Sequence, residues 1–151
     1  MPYIINSAIY VTTTSGTAVL TIDPGCRIHF LHSASMNVLD NGSMIANGTL
    51  SDSIIFTSNA TTPSAGDWDG IYFAEESNGG NMLNCCKISY AGNYSDYAIG
   101  IRTSNITVSN CYISNSEMHG IYISYNEPAY SPLLINNTFS DNAGSNIYYE
   151  E

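Results

Sequence analysis

Basic residues are nearly missing from this chain of 151 residues: Lys and Arg number 3 against 13 Asp and Glu, a formal net charge of -10. Nucleic acid is excluded as a partner, because binding phosphates needs clustered Lys and Arg. Electrostatic docking on anionic lipid is excluded for the same reason. Charge of either sign is scarce, 11% of residues where about 25% is usual. No apolar run approaches the roughly 20 residues of a membrane-spanning helix, so membrane insertion is not expected. The start, Met1-Pro-Tyr-Ile-Ile-Asn-Ser-Ala, lacks the basic and apolar regions of a secretion signal, so the sequence reads as a mature chain or an excised module. A sustained 3.6-residue apolar period is missing too, which removes helical bundles. Disorder does not fit a chain that is 44% hydrophobic with 12 Tyr.

What is present is strand pattern. Short alternating runs such as Val19-Thr-Ile, Arg27-Ile-His-Phe-Leu, Ile54-Ile-Phe-Thr, Ile71-Tyr-Phe and Ile121-Tyr-Ile are punctuated by Gly, Asn, Asp, Ser and Pro. The runs recur. Asn84-Cys-Cys-Lys-Ile-Ser-Tyr, Ser109-Asn-Cys-Tyr-Ile-Ser-Asn and Ile135-Asn-Asn-Thr-Phe-Ser-Asp align on Ile88, Ile113 and Phe139, spaced 25 and 26. A second column holds Ile71, Ile99, Ile121 and Ile147, spaced 28, 22 and 26, and a third holds Leu83, Val108 and Leu134. Columns recurring together at this period indicate a solenoid. One coil of two or three short strands cannot bury its inward face alone, but stacked on a neighbour it fills a shared core. At roughly 24 residues per coil, the chain makes about six coils in one domain spanning 1–151.

At these residues the chain resembles the right-handed parallel β-helix proteins of the pectin-lyase-like superfamily. The residues concerned are Leu20-Thr-Ile-Asp-Pro-Gly-Cys-Arg-Ile-His-Phe, Gly42-Ser-Met-Ile-Ala-Asn-Gly-Thr, Ile54-Ile-Phe-Thr-Ser and Gly66-Asp-Trp-Asp-Gly-Ile-Tyr-Phe. The resemblance implies an all-β, single-stranded right-handed β-helix. It implies little about activity, because that fold hosts lyases, hydrolases, adhesins and shafts.

The catalytic signatures of such relatives are incomplete here. His119-Gly120 matches part of the Gly-His-Gly of polygalacturonase-like hydrolases, but Met118 stands in place of the first Gly, and the paired-Asp and Arg-x-Lys elements are missing. Lyase chemistry would need a Ca²⁺-holding Asp cluster beside a base, and Arg102 has no such cluster one coil away. Catalytic residues are therefore expected to be none. Asp67-Trp-Asp-Gly resembles the opening of a calcium loop, and Asp67 and Asp69 could share Ca²⁺ with Glu75 or Glu76 across a turn. No other cofactor is indicated. His29 and His32, three apart in a strand, point to opposite faces.

Of 4 cysteines, Cys26, Cys85, Cys86 and Cys111, none sits in a zinc spacing. Cys86 and Cys111 share a column on successive coils, close enough for a disulfide or for two stacked thiols. Cys85 is expected to point outward beside Asn110 and Asn136. If the Ile column points inward, Tyr72, Gly100, Tyr122 and Tyr148 point outward, and the tyrosines form a face for polysaccharide or for packing. Sequons at Asn41, Asn47, Asn59, Asn93, Asn105 and Asn136 follow from a composition rich in Asn, Ser and Thr. That composition, with few Lys, leads to an expected extracellular or cell-surface location.

Both ends of the sequence run straight into repeat strands. Tyr3, Ile4, Ile147 and Tyr149 are then candidate end-to-end contacts, and self-association into a fibre is the expected role. Polysaccharide binding is the alternative.

Overall fold

The computed structural model describes residues 1–102, 105–124 and 132–150. Its strands follow the chain in threes. The first coil holds β1 (Tyr3–Ile5), β2 (Ile9–Val11) and β3 (Ala18–Ile22). The second holds β4 (Arg27–Phe30), β5 (Ser35–Val38) and β6 (Gly42–Asn47). The third holds β7 (Ile54–Ser58), β8 (Gly70–Phe73) and β9 (Asn81–Asn84). The fourth holds β10 (Cys86–Ser89), β11 (Tyr97–Ile101) and β12 (Ile106–Ser109). The fifth holds β13 (Tyr112–Ser114), β14 (His119–Ser124) and β15 (Leu133–Ile135). Two further strands, β16 (Thr138–Ser140) and β17 (Ile147–Glu150), open a sixth coil. Among the described residues there is no helix.

Every third strand pairs in parallel. Sheet A runs β1-β4-β7-β10-β13-β16, sheet B runs β2-β5-β8-β11-β14-β17, and sheet C runs β3-β6-β9-β12-β15. The result is a β-solenoid of five full coils and part of a sixth. Its register reproduces the repeat columns: Ile88, Ile113 and Phe139 lie in adjacent rungs of sheet A, Ile71, Ile99, Ile121 and Ile147 in sheet B, and Leu83, Val108 and Leu134 in sheet C. The columns point inward because each coil contributes one layer of a core that only its neighbours can seal. Ile71, Ile88, Ile99, Ile113 and Leu83 are fully buried.

The chain turns between sheets on single left-handed residues. Cys85, Asn110 and Asn136, with φ of 49, 52 and 51°, separate the strands of sheet C from those of sheet A. Tyr90, Asn115 and Asp141, with φ of 65, 54 and 56°, follow the strands of sheet A. Asn and Asp accept this conformation readily, whereas other non-Gly residues pay roughly 1–2 kcal/mol for it. Cys85 is buried rather than outward, because the turn folds its side chain back toward Asn84 Oδ1, 3.7 Å away. The polar ladder at this corner centres on Asn84, one residue before Cys85. Asn84 donates to Asn47 Oδ1 at 2.9 Å, and Asn110 donates to Asn84 Oδ1 at 3.0 Å.

Trp68 does more than cover an edge. It is fully buried, lies on Phe30 at 4.0 Å between centroids and 8° between planes, and donates its indole N–H to the Ser89 carbonyl at 2.9 Å. In the last coil, Asn137 stands one rung after Cys111 and Asn142 one rung after Ser116, and both side chains bond back to the preceding turns of the chain. Asn137 accepts from the Cys111 N–H at 3.0 Å and donates to the Val108 carbonyl at 2.8 Å. Asn142 treats the Ser116 N–H and the Ile113 carbonyl likewise, at 3.0 and 3.2 Å.

Candidate functional site: the outer face of sheet B

The outward column of sheet B reads Tyr10, Asn37, Tyr72, Gly100, Tyr122, Tyr148 in successive rungs. Gly100 would leave a gap. Tyr97, at the start of the same strand, fills it by laying its ring over Gly100, so that a Cβ there would overlap the ring. Tyr97 then stacks on Tyr122 with centroids 5.6 Å apart and planes 29° apart, and Tyr122 stacks on Tyr148 at 5.5 Å and 21°. His119 stacks on Tyr148 at 4.4 Å and 17°. Tyr97, Tyr122, Tyr148 and His119 thus make one stacked ridge along the solenoid axis, and Tyr72 stands next in the outward column.

The stacking decides what the ridge can do. Ring planes lie against one another from rung to rung, so the faces are largely occupied within the ladder. A partner meets ring edges and phenolic hydroxyls. Beyond the carboxyl ends of these strands a polar rail runs alongside. Arg102 is exposed and bonds Tyr72. Glu150 accepts a hydrogen bond from the Ser124 hydroxyl and engages the Tyr122 phenol, and these two hydrogen bonds hold its carboxyl below the usual range. Partial burial, and then the bond to Glu150, push the Tyr122 phenol up to about 12. Burial likewise raises Tyr97.

Glu75 and Glu150 both act electrostatically on Arg102 and belong to the third and sixth coils, whose backbones in sheet B lie three rungs, about 14 Å, apart. His119 Nδ1 accepts the Ser145 N–H at 3.1 Å and the ring packs on Tyr148, so the side chain ties the fifth coil to the sixth.

The acidic residues of the Asp67-Trp-Asp-Gly segment are not brought together. Asp67 accepts from the Ser58 hydroxyl at 2.6 Å and the Ser64 N–H at 3.0 Å, closing a loop before β8. Asp69 accepts from the Tyr94 N–H at 3.2 Å. Glu75 and Glu76 follow the far end of β8, whose four residues span roughly 13 Å. An extended strand, and not a turn, lies between the two acidic pairs. Among the described residues no group of three or more His, Cys, Asp or Glu could hold a metal ion.

Cys86 and Cys111 are opposite each other at the edge of sheet A and are free, buried thiols, as is Cys85, while Cys26 is free and half-buried. Tyr3 and Ile4 lie on the first rung of sheet A, and Ile147 and Tyr149 on the last rung of sheet B. The two pairs are at opposite ends of the solenoid and on different sheets.

Sequence reasoning found Tyr72, Tyr122 and Tyr148 in the right column. It missed Tyr97, His119, Arg102 and Glu150 as members of the ridge. A signal for Tyr97 existed: a Gly in an otherwise aromatic outward column leaves a ring-sized space.

Three parallel sheets, one-residue left-handed corners and stacked side-chain columns define a parallel β-helix of the pectin-lyase-like type. The model of the pectate-lyase-like beta helix domain family matches residues 1–103, and the chain belongs to that family. No curated protein and no solved structure matches it.

Proposed function

We propose that this chain is a non-catalytic glycan-binding β-solenoid of the cell surface or extracellular space, with the ridge of sheet B as its contact face. The observation that carries this reading is the stacked ladder Tyr97–Tyr122–Tyr148, with Tyr72 next in the outward column and Arg102 and Glu150 at its edge. A row of phenolic hydroxyls, repeated at the strand spacing of about 4.8 Å, offers donors and acceptors to an extended sugar chain lying along the axis. The net charge of -10 repels polyanions, so a neutral polysaccharide suits the ridge better than a polyuronate. The incomplete Gly-His-Gly match at Met118-His119-Gly120 favours binding without cleavage. The scarcity of Lys and the wealth of Asn, Ser and Thr support an exposed location.

Titration calorimetry with neutral β-glucans, mannans and xylans, and with polygalacturonate for contrast, tests this. Binding to a neutral glycan is expected, reduced about tenfold by Tyr122→Phe with Tyr148→Phe, which removes two hydroxyls and so roughly 1.4 kcal/mol. Full binding by that variant would refute hydroxyl recognition. Absence of binding to any of these polymers would remove the reading. Release of unsaturated or reducing ends would make the chain an enzyme instead.

A second reading is end-to-end association of copies of this chain. Its own observation is an apolar cavity of about 300 Å³ in the first coil, lined by Tyr3, Ile5, Ile9, Leu20, Ile28 and Met36 among others. A stack that continued the sheets would set Ile147, Tyr148 and Tyr149 of one copy over Ile9, Tyr10 and Val11 of the next, and Phe139 over Tyr3. Light scattering over a concentration series checks it: growth abolished by Tyr149→Asp supports stacking, and a constant monomer mass rejects it.

A further inference from the structure

We propose that Cys86 and Cys111 form a disulfide between the fourth and fifth coils when the chain folds in an oxidising compartment. The proposal stands apart from the glycan reading. Lys87 pairs with Tyr112 in the parallel ladder of β10 and β13, so the preceding residues, Cys86 and Cys111, face each other one rung apart. Adjacent strands lie about 4.8 Å apart, inside the 4.4–6.8 Å range of Cα separations that disulfides span. Both side chains point into the core, each 1% exposed. Cys86 Sγ donates to the Asn84 carbonyl at 3.4 Å and Cys111 Sγ to the Ser109 carbonyl at 3.3 Å, so the two thiols are held in the same orientation on adjacent rungs.

The other cysteines are placed where they cannot compete. Cys26 lies opposite Ile54, and Ile54 opposite Cys86. Two rungs put Cys26 about 10 Å from Cys86, beyond the reach of a bridge. Cys85 sits in a left-handed turn with φ of 49°, and its thiol points to Asn84 Oδ1. The fold thus selects one pairing from the six that four cysteines allow.

The chemistry is an exchange with a low-molecular-weight disulfide of the compartment. One cysteine thiolate attacks a sulfur of that disulfide, forming a mixed disulfide and expelling one small thiolate. The second cysteine, as thiolate, attacks the protein sulfur of the mixed disulfide and expels the other. Two protein thiols lose their protons and are oxidised to one S–S bond, and the small disulfide is reduced to two thiols. In the stacked state the contact with Cys111 and then burial push the Cys86 thiol up while the same contact draws Cys111 down, but both thiols are 1% exposed and out of reach of a small disulfide. Closure therefore accompanies folding, while the fifth coil is still settling on the fourth, and the finished bond is shielded from reductant.

The full chain is refolded with a mixture of oxidised and reduced glutathione, then denatured, and its free thiols are titrated. Two thiols are expected from the four cysteines, with a Cys86–Cys111 cross-linked peptide on proteolysis without reductant. A small thiol reductant applied to the native protein should leave the titre unchanged over hours, and the same reductant in denaturant should raise it to four. Cys26→Ser with Cys85→Ser retains only the proposed pair and should show no free thiol after the same treatment. Four free thiols in the wild type, two in that variant, or a cross-link to Cys26 or Cys85 would each overturn the proposal.

Discussion

Replacing Gly100 by Ala tests how the ridge is assembled. The three heavy atoms nearest the added Cβ all belong to the Tyr97 ring, which it would overlap. Gly100 has no left-handed backbone to defend, so the strand itself accepts Ala and the ring must swing out. The variant then loses the Tyr97–Tyr122 stack, centroids 5.6 Å apart, worth about 0.5–1.5 kcal/mol beyond area burial. Exposing part of the half-buried Tyr97 ring costs roughly another 1 kcal/mol at 25 cal/mol per Å². Replacing Gly returns about 0.4–1 kcal/mol through the unfolded chain. The net loss is about 1 kcal/mol, a Tm lower by roughly 2–4 °C for a domain of this size. Scanning calorimetry measures it, and near-ultraviolet circular dichroism reports the tyrosine stack. Gly120→Ala is the contrast. There the Cβ meets the Asn146 carbonyl oxygen at 2.7 Å and the Phe139 ring at 2.9 Å, so backbone must move and the loss is larger. Gly100→Tyr with Tyr97→Ser moves the ring to the regular column position and should restore the dichroism. A Gly100→Ala protein that melts with the wild type and keeps its tyrosine signal would refute this account of the gap.

Three further outcomes follow from the packing and titration. Trp68→Ala should cost about 3–5 kcal/mol in urea unfolding, from the cavity beneath Phe30 and the lost indole bond to Ser89, and Trp68→Phe about half as much; a loss under 1 kcal/mol would contradict the buried stack. Asn137→Ala with Asn142→Ala should strip amide-exchange protection from β16 and β17 while leaving β8 and β11 protected, because four bonds back to the two preceding coils disappear; uniform protection would show that the last coil is held otherwise. Tyr122 should ionise near pH 12 by absorbance titration, and Tyr122→Phe should remove that late step. The sign is that of an acid whose folded pKa is raised: its contribution is complete below the unfolded value of about 10 and fades as pH climbs toward 12.

The solenoid was legible because stacking puts like on like. Ile88, Ile113 and Phe139 repeat because each seals the next, and a period that follows from packing can be read without knowing the packing. The coil estimate came close for the same reason. The corners were harder. Cys85 occupies a position taken by Asn in the next two coils, and nothing in its chemistry announces a left-handed turn that folds it inward. Asp67 and Asp69 looked like ligands because acidic residues beside Gly are common in calcium loops. Their actual duties, closing the loop before β8 and holding the Tyr94 amide, depend on chain-distant groups that no local spacing encodes. Tyr97 is the instructive miss, since alternation assigns one outward residue per rung and has no place for a ring that leans three residues along its strand.

That lean changes what the surface can recognise. Had Tyr72, Tyr122 and Tyr148 stood apart, their faces would have been free to stack on sugar rings, and truncation to Ala would have tested them. With Tyr97 bridging the gap and His119 packed on Tyr148, the rings stabilise one another and hold their hydroxyls at fixed spacing. Affinity then comes from hydrogen bonds formed in water, each worth about 1 kcal/mol net, and a long ligand gains by meeting several in series. Binding should therefore rise steeply with glycan length from two to six sugar units, and then level once the ligand outruns the four tyrosines of this face. Oligosaccharide titrations that showed no length dependence would place recognition at a single point, Arg102 or Glu150, and not along the ladder.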